Sequence, residues 1–163
     1  MISRTSALTL AATVFNAFLG GGGLDRVAIQ MPAWRQVGIV PWAEFSRHAD
    51  LGNGLILYPV AAIGGTLLSI AAVISFHWDR EQQKTAKWFL YAGACLTLLG
   101  LLWTTQAAPL MLSLRHVGND PPSLEHAFTG FDWWGRVRAV TQMAAFLANL
   151  GSVALLGVRT EKG

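Results

Sequence analysis

The stretch Phe131-Asp132-Trp133-Trp134-Gly135-Arg136-Val137-Arg138 leads directly into Ala139 to Val158, a run that contains no Lys, Arg, Asp or Glu. An uncharged run of that length is what a helix needs to cross about 30 Å of hydrocarbon. The two tryptophans at its mouth suit the boundary between hydrocarbon and water. The carboxylate and the guanidinium groups do not suit it unless they are paired or hydrated, so this short stretch has to be explained by more than anchoring.

Outward from it, three more segments have the same character. The pattern predicts helices over about Thr5 to Leu24, Leu55 to Phe76, Trp88 to Leu112 and Val137 to Val158. The expected fold is an all-α membrane protein: a four-transmembrane-helix bundle forming one domain over residues 1–163. A chain that is 53% hydrophobic and 13% charged, with mean hydropathy +0.42, supports that class over a soluble one. The first segment follows Arg4 like a signal peptide, yet it ends in Leu19-Gly20-Gly21-Gly22-Gly23 without an Ala-x-Ala site, and reads as a retained span.

Four spans place both termini on one side. The short connection His77 to Lys87 carries Arg80, Lys84 and Lys87, and Arg4, Arg159 and Lys162 flank the termini, which predicts that this side is cytoplasmic, as in a bacterial inner membrane. The two longer loops, Asp25 to Asn53 and Ser113 to Arg136, then lie on the non-cytoplasmic side. Their polar residues include Asp25, Arg26, Glu44, Arg47, His48, Asp50, His116, Glu125, His126 and Asp132. After Pro41 the first loop suits a short amphipathic helix with Trp42 and Phe45 facing the membrane and Glu44, Arg47 and His48 close together.

Small residues mark where helices can approach in lipid: Ala12, Asn16 and Gly20; Ala61, Gly65 and Ser69; Gly93 and Thr97; Ala144, Ala148 and Ser152. On the fourth helix Trp134, Arg138, Gln142, Ala145 and Asn149 follow one face. Such a polar line either lines a pocket for a substrate or a proton, or it supplies hydrogen bonds between helices. Trp134, Gln142, Asn149 and Asn16 are the candidate substrate-binding residues.

His48, His126, Asp132 and Arg138 are the candidate catalytic residues, the first three as acid or base and Arg138 as a cation. No His-x3-His or His-Glu-x2-His spacing occurs, so no metal site is expected, and no cofactor is implied. Cys95 is the only cysteine, which excludes internal disulfides. A scattered charge of +3 without a basic stripe argues against nucleic acid.

Met31-Pro32-Ala33, Pro109-Leu110, and Trp134-Gly135-Arg136-Val137-Arg138 resemble the corresponding elements of the anthrone oxygenase-like family of small four-helix membrane proteins. Gly135 and Met111 stand where members of that family carry asparagine. The resemblance implies cofactor-independent oxygenation of a hydrophobic aromatic or polyphenolic substrate. A base would deprotonate an acidic carbon, the carbanion would react with oxygen, and Arg138 would hold the phenolate. The alternative is a non-catalytic accessory subunit, or a binder of lipid or quinone-like molecules. The expected partners are membrane lipid, a hydrophobic small molecule, and a second copy or partner membrane subunit.

Overall fold

The computed structural model describes residues 3–79 and 84–157. Among them are four helical runs long and apolar enough to cross a membrane, and no strand. The elements are α1 (Arg4–Asp25), a π-helical turn (Arg26–Gln30), α2 (Met31–Val37), α3 (Ile39–His48), a second π-helical turn (Ala49–Asn53), α4 (Gly54–Trp78), α5 (Lys84–Leu112), a 3-10 turn (Ser113–Arg115) and α6 (Pro121–Gly157). Val158, Arg80, Arg159 and Lys162, used above for a helix end and for orientation, lie outside the described residues.

The helices form a ring in which α1 packs on α4 and α6, and α5 packs on α6 and, over a smaller area, on α4. Its interior inverts the soluble pattern. Buried positions are Thr5, Thr9, Thr13, Asn16, Thr66, Ser69, Thr97, Gln142, Asn149 and Ser152 beside alanines and glycines, while Val14, Ile56, Leu67, Val140 and Leu147 are exposed. This distribution is stable only if the outside is hydrocarbon, because small residues let backbones approach and large apolar ones lose nothing by facing lipid tails. The hydroxyls of Thr9, Thr13, Thr66, Ser69 and Thr97 satisfy themselves on the carbonyl one turn back, at 2.7–2.9 Å. At the end away from α2 and α3, Thr5 Oγ1 donates to Asp79 Oδ2 at 2.6 Å, fastening the start of α1 to the end of α4.

Both long connections are mostly helical, and only residues 116–120 of the second stay irregular. The first is a helical hairpin: α2 continues α1, α3 leads into α4, and the chain reverses at Gly38, whose φ of 96° favours glycine. The π-helical turns at Arg26–Gln30 and Ala49–Asn53 are the two bends, the second broken at Gly52 (φ −88°, ψ −118°). In the second loop α6 begins at Pro121, sixteen residues before the expected Val137. Asp120 caps it, Oδ2 accepting from the Ser123 amide at 3.1 Å, and Pro121 takes the first turn, where no amide proton is needed. With 37 residues, α6 is about 55 Å long at 1.5 Å per residue, well beyond a bilayer core of about 30 Å.

The projecting turns of α6 join α2, α3 and the end of α5 in a second core: Met31, Trp42, Ala43, Ala107, Met111, Leu114, Leu124, Ala127, Phe128 and Phe131. Here the large apolar residues face inward. Trp42, expected at the membrane surface, is buried in this cap, while Phe45 is exposed. Arg47 ties α3 to the turn after α5 through the carbonyl oxygens of Leu114 (3.1 Å) and Gly118 and the Asn119 side chain (2.9 Å).

Candidate binding cleft beneath the cap

The site begins with the close approach of α1 to α6. A Cβ on Gly20 would lie 3.3 Å from the Met143 backbone nitrogen, and one on Gly23 would lie 3.0 Å from the Ala139 Cβ. Glycine therefore sets the spacing here and delivers Arg26, at the first bend, to the interior. The second bend delivers Asp50. The two form a two-pronged ion pair, Nη2 to Oδ2 at 2.7 Å and Nη1 to Oδ1, with side chains 12% and 9% exposed. Bidentate geometry is the strongest arrangement open to this pair. Arg26 also stands over the Phe131 ring at 4.8 Å, and Arg138 approaches the same ring at 5.8 Å.

Between these groups lies a cleft of about 140 Å³. Arg138, Gln142 and Phe131 line it from α6, Leu55, Tyr58 and Pro59 from α4, Thr104, Ala108 and Met111 from α5, and Gly22 and Gly23 from α1. Its charges are Arg26, Asp50 and Arg138, so one positive charge is left over. Among the described residues Arg26 is neutralised by Asp50, whereas Arg138 has no ion pair or hydrogen bond. Gln142 is 5% exposed, yet its amide makes no hydrogen bond among the described residues. Both groups open on the cleft with unused donors, and a ligand that supplies acceptor oxygens would engage them.

Of the residues anticipated from sequence, Arg138 and Gln142 meet in this cleft. Asp132 borders a small adjoining pocket with Arg26 and Arg138, and its carboxylate is held by Arg136 at 2.9 and 3.1 Å. Trp134 is not in the cleft wall; it stacks on Trp103 at 5.8 Å. Asn149 is buried deeper, so close to Gly93 that a Cβ there would overlap the Asn149 side-chain oxygen. Asn16 is buried on α1, donating to the Ala12 carbonyl at 3.0 Å. His48 and His126 are exposed and outside the cleft, His48 beside Glu44 at 3.0 Å.

Arg26 and Asp50, noted above only among the polar loop residues, complete the cleft with Tyr58 and Phe131, none of the four having been a candidate site residue. The available signal was the pair of opposite charges, Arg26 and Asp50, each next to the end of an apolar span. Among the described residues no three His, Cys, Asp or Glu side chains gather to hold a metal. No protein-family model, curated protein or solved structure matches this chain.

Proposed function

We propose that this protein is an integral membrane binder of a hydrophobic small molecule with an electron-rich oxygen head, held by Arg138 and Gln142 beneath the cap. The observation that carries the reading is the Arg138 guanidinium, without an ion pair, beside the unbonded Gln142 amide in a cleft whose other charges, Arg26 and Asp50, neutralise each other. A carbonyl, phenolate or carboxylate oxygen would satisfy both. Arg4, Lys84 and Lys87 at the opposite end support an orientation with the cap on the non-cytoplasmic side.

Oxygenation, the activity that the family resemblance implies, is the second reading. Asp50 favours it as a carboxylate in the same cleft as a free cation, in the arrangement a base and a phenolate-binding group would need. Binding ranks first because that carboxylate is engaged by Arg26, and because His48 and His126 do not reach the cleft.

The test is equilibrium binding of alkylphenols and alkylquinones to the protein in lipid nanodiscs, read by tryptophan quenching. Arg138→Gln should weaken binding by roughly tenfold to a hundredfold, the range of a hydrogen bond to a charged group. Arg138→Lys should retain part of the affinity, because it keeps the charge but not the planar fork. Equal affinities for the wild type and Arg138→Gln would refute the assignment. Oxygen uptake with an anthrone, lost in Asp50→Asn protein that still binds the quinone probes, would promote the second reading.

A further inference from the structure

We infer that the ligand is a lipid-borne amphiphile with a single six-membered ring as its head, and that it reaches the cleft sideways from the bilayer between α4 and α5. The inference rests on the binding reading above and specifies the ligand class and the route.

Volume limits the head. A cleft of about 140 Å³ is close to the size of an apolar cavity that holds one benzene, about 150 Å³. One ring fits against Phe131 and Tyr58, and a fused tricyclic system would protrude. Charge limits it as well. One surplus guanidinium with a carboxylate nearby suits a neutral or singly charged oxygen head, a phenol, quinol or quinone, better than a phosphate. The Tyr58 hydroxyl makes no hydrogen bond among the described residues and adds a third polar contact, beside Arg138 and Gln142.

The route follows from what closes the cleft on each side. Toward the cap, Met111 and Phe131 belong to the packed cap core, and Leu51 lies against it. Toward α1, Gly20 and Gly23 close on α6 and Phe18 stacks on Tyr58 across the α1–α4 seam, while exposed Gly22 borders the cleft from the same helix. The side with the sparsest packing in the ring is the seam between α4 and α5. Its rim is greasy and open: Leu55 and Leu112 line the cleft and are 40% and 37% exposed. Both seam helices carry an internal proline near this level, Pro59 and Pro109, and each removes one backbone hydrogen bond that would otherwise stiffen the seam. A hydrocarbon tail leaving through this rim would stay in lipid while its ring sat on Arg138.

The experiment compares a decyl-substituted benzoquinone, the same ring without the tail, and anthraquinone, each with protein in nanodiscs. The decyl compound should bind at least about tenfold more tightly than the tailless ring at equal bulk concentration, because the tail concentrates it in the bilayer and remains there when bound. Anthraquinone should bind more weakly than the decyl compound. Leu55→Trp and Leu112→Trp, which crowd the rim without touching Arg138, should slow association and dissociation together by several-fold.

A tailless ring that binds as well as the decyl compound, or rim variants with unchanged rates, would overturn the lateral route. A tricyclic probe that binds most tightly would overturn the single-ring head. Each of these results would still leave binding sensitive to Arg138→Gln. If instead no probe depends on Arg138, the binding site itself is wrong, and the lateral route falls with it.

Discussion

Two guanidinium groups share one aromatic ring beneath the cap, and only one of them is paired. Taking charges out of water costs several kcal/mol per ion, which a two-pronged carboxylate largely offsets for Arg26, whereas partly buried Arg138 has the Phe131 ring face but no ion pair. The Arg26–Asp50 pair is therefore read as scaffolding, fixing two helix bends to each other, and Arg138 as the group left for a ligand. Asp50→Asn should cost about 3–5 kcal/mol of stability, because it strands a buried guanidinium. The double variant Arg26→Met with Asp50→Leu should recover most of that loss, since an apolar pair of similar volume replaces a desolvated ionic one. Unfolding midpoints in mixed detergent micelles would measure both. A double variant no more stable than Asp50→Asn alone would show that the charges hold more than each other. The Asp132–Arg136 pair makes a useful contrast: Arg136 is half exposed, and such pairs contribute little.

Among the elements, α5 and α6 meet through side chains matched to glycines, Gln142 to Gly100 and Asn149 to Gly93. Gly93→Ala should destabilise by about 1–3 kcal/mol through overpacking, although alanine is the better helix former. Combined with Asn149→Ala, which vacates the space, the same change should be neutral or stabilising, and a thermal double-mutant cycle would show the coupling. The four spans were legible because long uncharged apolar runs have few alternatives, and Arg138 with Gln142 was legible because a spacing of four residues places them on one face in any helix. The cap was not. Its helices are short, and its extension of α6 carries Asp132, Glu125 and His126, which lower the hydropathy of any window that covers them. The buried face Leu124, Ala127, Phe128 and Phe131 nevertheless follows helical spacing and could have extended the helix. The Arg26–Asp50 contact was out of reach, because its partners are 24 positions apart and meet only through two π-helical bends and the reversal at Gly38.

Taken whole, the molecule carries two interiors built by opposite rules, a bundle with hydroxyls and amides inside and a cap with Trp42, Phe128 and Leu124 inside. Each rule is stable in only one solvent, so together they locate the hydrocarbon boundary near the cleft, where the bundle rule gives way to the cap rule. Cys95 offers a native probe of this division. It is exposed, and on α5 it shares a face with the exposed Leu98, Leu99 and Leu102, three, four and seven positions on. If that face meets lipid, a charged reagent cannot reach the thiol, because entering hydrocarbon is costly for it. A charged, membrane-impermeant maleimide should leave Cys95 unlabelled in intact membranes and label it fully after denaturation in SDS. His126→Cys in a Cys95→Ser background, exposed on the cap, should react within minutes in the same membranes. From outside intact cells it should do so only if the cap faces away from the cytoplasm. Rapid labelling of native Cys95 in intact membranes would put its face in water and remove the reason for an inside-out bundle. Failure of the cap cysteine to react would bury the surface that the two-solvent division exposes.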